Sequence, residues 1–134
     1  MAMTAAQNAL PSADEKEKGR VALKAFFNIT ERWECTAQEQ AKLLGDVARS
    51  TLYGYRRQPH RRLDRDTLER ISAIMGIYKA LHILYPNPEI ADSRPRRETS
   101  DLPFNGASPL AFMLRGSLLH LIETRRYFDA QRGW

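Results

Sequence analysis

Apolar residues recur at intervals of three and four between residues 68 and 85, and this is the longest such stripe in the chain. Its members are Leu68, Ile71, Ile74 or Met75, Tyr78, Leu81 and Tyr85. This spacing predicts one long helix that carries the core. A glycine at position 76 costs a helix about 1 kcal/mol relative to alanine, so we expect another helix to cross closely at Gly76.

The rest of the chain also has sequence patterns typical of helices. A first helix is predicted over about 14–33, with Val21, Phe26 and Trp33 on its apolar side. No strand-like alternation flanks an Asn-Gly hairpin turn, so the sequence predicts an all-α fold. The stretch 86–107 is expected to be mostly loop, with one helical turn near 89–93.

Several helix starts are marked by capping residues. Thr36 with Glu39 three residues later forms a capping box, and Gly45 is placed to end that short helix in a left-handed conformation. Asp64 is expected to cap the long helix, and Ser108 and Ser117 to cap the last two.

Length and composition limit the class of protein. The 134 residues suit one domain or two small modules. The single cysteine, Cys35, cannot form an internal disulfide, which favours a reducing compartment. Because no apolar run is long enough for a signal peptide or a membrane span, we expect a cytoplasmic protein that does not bind membranes.

Positive charge is concentrated in one part of the chain. The formal net charge is +5, and residues 49–62 hold five arginines and no acidic residue. A phosphate backbone is the partner that such focused charge favours.

This arginine run coincides with two short helices joined through Gly45, which is the layout of a helix-turn-helix. In that motif the second helix places its N-terminal residues against base edges in the major groove. The residues expected to contact DNA are Arg49, Ser50, Thr51, Tyr53, Arg56, Arg57, Arg61 and Arg62. The turn is one residue longer than in the commonest form, and Asp46 stands where an apolar residue is usual.

The sequence offers no catalytic constellation. His60, His82 and His120 lie far apart, without cysteine or carboxylate partners at metal-ligand spacing. We interpret His82 and His120 as core or boundary residues and Cys35 as a structural thiol. The prediction is therefore a protein that is not an enzyme and has no metal or cofactor.

Several stretches together resemble the Xre/MbcA/ParS antitoxin family. They are "ERWECTAQEQAKLLGDVARSTLYGYRR", "LERISAIMGIYKALHILYPNP", "PFNGASPLAFMLRG" and "LIETRRYFDAQRGW". The resemblance covers roughly residues 18–134. It implies an Xre-like helix-turn-helix joined to a C-terminal toxin-binding domain, and a partner toxin with the NAD⁺-consuming RES fold. It also implies repression of the chain's own operator, as a homodimer or in a higher hetero-oligomer with the toxin.

The same resemblance assigns toxin contact to the last helix and the C-terminus. The residues concerned are Arg125, Arg126, Asp129, Gln131, Arg132, Gly133 and Trp134. Two features depart from the family's usual pattern: "SRPRRETSDLPFNGASP" replaces its Trp-Leu-x-x-Pro-Asn stretch, and Gly54 occupies a position where relatives carry a larger residue. From periodicity alone, Trp134 is as well suited to this protein's own core as to an interface.

The predicted organisation is a flexible tail over 1–13, a helix-turn-helix region over 14–62 and a toxin-binding domain over 63–134. Two other classes of function compete with an antitoxin. A stand-alone transcriptional repressor has no need of the C-terminal tail, and a pure interaction domain has no need of the acid-free arginine run. Only an antitoxin uses both features.

Overall fold

The computed structural model describes residues 10–133, and its regular structure is entirely helical. The helices are α1 (Ala13–Arg32), α2 (Ala37–Leu43), α3 (Arg49–Arg57), α4 (Arg65–Leu84), α5 (Pro88–Ser93), α6 (Pro109–Met113) and α7 (Leu118–Gln131), with a 3-10 turn at Arg94–Arg96. This confirms the predicted all-α fold. Most of the tail predicted over 1–13 lies outside the described residues.

Local capping chemistry explains where most of these helices begin. The hydroxyl of Thr36 accepts the Glu39 N–H, and the Glu39 carboxylate accepts the Thr36 N–H, which confirms the predicted capping box. The predicted caps at Asp64, Ser108 and Ser117 are confirmed as well. The starts of these four helices were therefore predictable from the sequence.

Helix α4 lies at the centre of the fold, packed against α1 on one side and α7 on another. Its stripe is the predicted one, with Ile71, Ile74 and Leu81 fully buried. The alternative at this face, Met75, is instead partly exposed. Because both halves of the chain use α4, the predicted regions 14–62 and 63–134 share a core.

Two glycines mark close approaches between these elements. The chain after α3 crosses α1 at Gly19, where a Cβ atom would collide with the carbonyl oxygen of Arg61. At Gly76 a Cβ atom would collide with the guanidinium of Arg125 on α7. At Gly76 the close approach is thus that of one α7 side chain, whereas at Gly19 it is that of the backbone, which fixes the position of the basic loop.

The segment between α5 and α6 is more ordered than its prolines and charges suggest. Thr99 and Ala107 are joined by a backbone hydrogen bond of 3.2 Å, and the Gly106 N–H donates to the Thr99 carbonyl at 2.8 Å. This folds the stretch into a tight loop. Phe104 at its centre is buried, and its ring lies edge-on to Tyr127 of α7 with centroids 4.9 Å apart.

Candidate functional site

The turn between α2 and α3 accommodates its extra residue through two consecutive left-handed residues. Gly45 has φ +98° and Asp46 has φ +62°. The N–H groups of Asp46 and Val47 both donate to the Ala41 carbonyl, at 2.9 and 3.2 Å. Asp46 therefore points to solvent, and Val47 packs against the core in its place.

Helix α3 is held by one anchor and is open at its N-terminus. Leu52 is its buried residue, and the N-cap Ala48 provides no side-chain hydrogen bond, in contrast to every other α-helix that the structure describes. Arg49 and Ser50 are exposed in its first turn. Free N–H groups and the positive end of the helix dipole favour an anion there.

The two adjacent arginines at the end of α3 have different surroundings. Arg56 donates to the Gln40 side-chain oxygen at 2.7 Å, and its guanidinium lies 4.3 Å from the centroid of the Phe27 ring. Arg57 instead lies over the Tyr53 ring at 5.5 Å, and Tyr53 is 58% exposed. Arg56 therefore braces α3 against α1 and α2, while Arg57 and Tyr53 face solvent together.

A shallow groove beside α3 joins the remaining predicted DNA contacts. It has a volume of about 510 Å³ and is lined by Ser50, Thr51, Gly54, Tyr55, Arg61, Arg62, Leu63 and Asp64. The Arg61 guanidinium nitrogen lies 3.4 Å from the place that a Cβ atom of Gly54 would take. Arg62 is engaged at the rim in an ion pair with Glu15 at 2.8 Å. The Arg61 guanidinium thus lies directly beside α3 at Gly54.

Helix α7 presents a different kind of surface. Its buried residues Leu121, Thr124 and Phe128 hold it on the core. Between them Arg125 and Arg126 are exposed, and Asp129 lies 3.6 Å from Arg125 and 3.9 Å from Arg132. Three of the charges that the resemblance assigns to toxin binding therefore form a small paired network: Arg125, Asp129 and Arg132.

This network borders a cleft between α4 and α7. The cleft has a volume of about 360 Å³ and is lined by Glu69, Ser72, Ala73, Leu118, Ile122, Arg125, Arg126 and Asp129. Arg125 crosses it and donates to the Ser72 carbonyl at 3.4 Å. Its lining combines apolar side chains with charges of both signs, a composition that suits a protein partner.

Helix α7 ends at Gln131, two residues before Gly133. Gln131 is exposed, and Gly133 has φ +87°, which ends the helix in the left-handed conformation that glycine favours. Trp134 lies outside the described residues, so its predicted role as an interface anchor stays a prediction.

Two of the histidines and the cysteine have structural surroundings. His82 shares a 2.7 Å hydrogen bond with Asp92, and His120 completes the cap of α7 through the Ser117 N–H at 3.3 Å. Burial raises the pKa of the Cys35 thiol to about 12, which keeps it protonated and unreactive at neutral pH. Among residues 10–133, no three His, Cys, Asp or Glu side chains are placed to hold a metal ion.

Two arginines that no sequence pattern singles out join elements near the two candidate surfaces. Arg96 donates to the carbonyls of Trp33 and Glu34, both at 2.8 Å, and so ties the loop after α5 to the corner between α1 and α2. Arg70 is buried and donates to the Gly116 carbonyl at 2.8 Å, just before α7. The residues joined by each of these hydrogen bonds are at least 46 positions apart in the sequence. No local sequence pattern therefore predicts these contacts.

Comparison with known proteins agrees with this geometry. The family model for the antitoxin Xre-like helix-turn-helix domain matches residues 12–76. The chain belongs to the Xre-like antitoxin family. The uncharacterized protein y4oB of Sinorhizobium fredii (strain NBRC 101917 / NGR234) is 44% identical over 111 residues, which is 83% of this chain and 84% of that protein.

The match to the Xre-like domain includes the first part of α4. It thus contains nearly all of α1 together with the helix-turn-helix of α2 and α3. An antitoxin of this family has a DNA-binding role and a toxin partner in general terms. None of the helices described is sufficiently long and apolar to span a bilayer.

Proposed function

We propose that this protein is the antitoxin of a type II toxin-antitoxin system, which neutralises a RES-type, NAD⁺-consuming toxin and represses its own operon. The observation that carries the proposal is the presence of two unlike surfaces on one core. One is the exposed, uncapped start of α3 with its arginines, and the other is the paired-charge cleft between α4 and α7.

On the DNA side, Arg49 is the residue that reads bases. Its position at the start of α3 suits a guanidinium that donates to guanine O6 and N7 in the major groove. Ser50 and Thr51 lie beside the free N–H groups of the first turn and contact phosphate or bases. Arg57 and Arg61 neutralise phosphates at either side and fix the register.

On the protein side, Arg125, Arg126 and Asp129 contact the toxin together with the C-terminal residues. This assignment is supported by their exposure at the cleft and by the family resemblance of the C-terminal stretch. Trp134 and Arg132 dock at the mouth of the toxin's NAD⁺ cleft and obstruct substrate entry. Tryptophan and arginine are the side chains most enriched at interface hot spots.

The regulatory complex contains more than one copy of the chain. A single helix-turn-helix reads one half-site, and two copies read the two halves of a palindrome about 34 Å apart. We therefore propose that the operator is bound by a homodimer, alone or within a hetero-oligomer that includes the toxin.

The experiment that tests the proposal is co-expression with the product of the adjacent reading frame. We expect the two proteins to co-purify, the neighbour alone to arrest growth and deplete cellular NAD⁺, and co-expression to restore both. Growth arrest without loss of NAD⁺ contradicts the RES-type partner. A neighbour that neither binds nor arrests growth contradicts the antitoxin function and leaves a stand-alone repressor.

A second measurement tests the DNA side alone. Promoter affinity is followed as salt is raised, since each neutralised phosphate contributes a slope of about −0.9 in log K against log salt. We expect a steep negative slope. An affinity that does not change with salt contradicts phosphate contact by α3 and its loop.

A further inference from the structure

The loop between α5 and α6 carries an exposed leucine beside α7. Leu102 is 78% exposed. The residues that flank Leu102 and Pro103 are both held in place. The Tyr127 hydroxyl of α7 donates a hydrogen bond to the Asp101 carboxylate, and Phe104 is buried. Because the chain is fixed on both sides, Leu102 is kept at the surface.

Backbone hydrogen bonds within the loop restrict it further. The N–H groups of Phe104 and Asn105 both donate to the Asp101 carbonyl, at 2.9 and 3.0 Å. The Ala107 N–H donates to the Phe104 carbonyl at 3.0 Å. A partner that binds an ordered loop pays less conformational entropy than one that binds a mobile loop. The apolar side chain of Leu102 is therefore preorganised for contact.

Leu102 adjoins the surface that α7 presents. Together with Pro103 it borders a shallow depression of about 380 Å³, which is also lined by Glu123, Arg126 and Tyr127. Arg126 lines the cleft between α4 and α7 as well. The depression and the cleft therefore meet at Arg126.

This side of α7 has a second exposed leucine. Leu119 is 54% exposed, and with Glu123 and Arg126 it follows the i, i+4, i+7 spacing that places residues on one side of a helix. The surface thus combines two exposed leucines with one acid and one base. Glu123 repels phosphates, and a phosphate backbone offers no apolar contact, so this composition favours a protein over DNA.

We propose that Leu102 is an apolar anchor for the toxin, an inference that rests on the proposed antitoxin function. The family resemblance places toxin contact only at 125–134, so Leu102 is an additional contact. A toxin seated on Arg126 also meets Leu102, because the two side chains line one depression. Leu102 enters an apolar pocket of the toxin, and Arg126 pairs with an acidic side chain beside that pocket.

The first test compares single substitutions in the full-length chain, with the purified product of the adjacent reading frame as the probe. Leu102→Asp places a charge in the loop, and Ile90→Asp places the same charge on α5, at a residue that is 48% exposed. Titration calorimetry measures affinity, and circular dichroism melting controls for folding. We expect Leu102→Asp to weaken binding at least about tenfold, since burial of a leucine side chain is worth that factor or more.

The controls bracket this effect. Ile90→Asp should change affinity by less than about twofold, as surface substitutions away from an interface do. Leu102→Met keeps an apolar side chain of similar volume and should bind like the wild type. All three variants should melt at the wild-type temperature, because the residues changed are exposed.

A second test reports contact directly and does not depend on a change in affinity. The photoreactive residue benzoylphenylalanine is placed at position 102 or, as the control, at position 90 of the full-length chain. We expect irradiation to crosslink position 102, and not position 90, to the probe. If Leu102→Asp lowers the melting temperature, this crosslink decides the question.

Arg126→Glu separates failure of this inference from failure of the proposed function. If Arg126→Glu weakens binding while Leu102→Asp behaves like Ile90→Asp and position 102 gives no crosslink, the inference is wrong and α7 remains the toxin surface. A wild type that does not bind the probe contradicts both. If Leu102→Asp lowers the chain's own mass in sedimentation equilibrium and leaves affinity for the probe unchanged, the loop contacts another copy of the chain, which also overturns the inference.

Discussion

The helices α3 and α7 are attached to the core in unequal ways. Helix α3 has nine residues, one buried side chain at Leu52 and no side-chain cap. Helix α7 has fourteen residues, buries three side chains including Leu121 and Phe128, and begins in a capping box at Ser117. The proposed DNA surface therefore lies on a lightly anchored helix and the proposed toxin surface on a firmly anchored one.

Their charges differ in the same sense. Arg57 of α3 lies over an exposed tyrosine ring, and Arg49 is exposed at the helix start. On α7, Asp129 lies within 4 Å of both Arg125 and Arg132. Exposed arginines at the start and end of α3, such as Arg49 and Arg57, suit a row of phosphates. A surface of paired charges suits one protein partner whose own charges match.

The most damaging change to this arrangement is expected at the anchor of α3. Leu52→Ala removes most of a buried side chain, which costs about 2–5 kcal/mol. We expect a free energy of unfolding lower by that amount in urea titrations and a loss of promoter binding. Leu119→Ala, at an exposed position on α7, serves as the control and should change stability by less than about 0.5 kcal/mol. Equal effects of the two changes contradict the role of Leu52 as the anchor of α3.

A change at the C-terminus tests the other surface. Trp134→Ala should weaken the complex with the toxin by at least about 2 kcal/mol, the usual scale of a hot spot. The chain's own melting temperature should stay nearly constant. Titration calorimetry and thermal melting measure the two quantities. If removal of residues 132–134 instead lowers the melting temperature sharply and leaves toxin affinity intact, the C-terminal residues belong to this protein's core.

A substitution at Arg56 tests the bracing of α3 separately from its contact with DNA. Its loss leaves the side-chain oxygen of the buried Gln40 without its 2.7 Å donor. An unsatisfied buried polar group costs about 1–3 kcal/mol, so Arg56→Ala should lower the free energy of unfolding by about that much. Chemical denaturation measures it, and an unchanged stability contradicts the bracing role.

Arg57→Ala is the matched change one residue later. We expect stability within about 0.5 kcal/mol of the wild type. The slope of log K against log salt should be shallower by about 0.9, the value for one phosphate contact. A salt slope that Arg57→Ala leaves unchanged removes Arg57 from the DNA surface.

The smallest expected effect concerns α4, on which both regions depend. Hydrogen bonds from Thr67, through its side chain and its N–H, lower the pKa of the Asp64 carboxyl. A lowered pKa in the folded state contributes stability above the unfolded value of about 3.9, and that stability is lost as the pH falls through the folded pKa. Because Asp64 is exposed, the contribution is well below about 1 kcal/mol.

Asp64→Asn tests this effect and keeps a capping side chain. Urea unfolding between neutral and acid pH should show a smaller loss of stability below about pH 4 than in the wild type. If Asp64→Asn loses as much stability in acid as the wild type does, other carboxylates account for the whole pH dependence. That result contradicts the role given to Asp64.

The sequence predicted those parts of the fold that depend on near neighbours. The cap at Thr36 depends only on Glu39, three residues away. The apolar stripe of α4 depends only on the helical spacing of residues within that helix. The turn at Gly45 followed from glycine's access to positive φ. The glycine at position 76 predicted a close helix crossing, and the structure places the Arg125 side chain of α7 against it.

Contacts between distant residues were beyond this kind of prediction. Arg56 was expected to face DNA, yet its main contact is Gln40, sixteen residues earlier. Arg62 pairs with Glu15 across 47 residues. In the composition, Arg56 and Arg62 both add to the positive charge that DNA could use. In the fold, both are paired with other residues of the same chain. Val21 likewise fits the apolar pattern of α1 but faces an open groove, since burial depends on which helix lies opposite.

The central claim is that one chain offers α3 to promoter DNA and α7 to a toxin. The most direct measurement is hydrogen exchange of the full-length chain, detected by mass spectrometry, alone, with promoter duplex and with the toxin. We predict that DNA slows exchange in peptides from residues 49–62, and that the toxin slows exchange in peptides from residues 118–133. Protection of the same peptides by both partners, or protection by the toxin that spares α7, contradicts the claim.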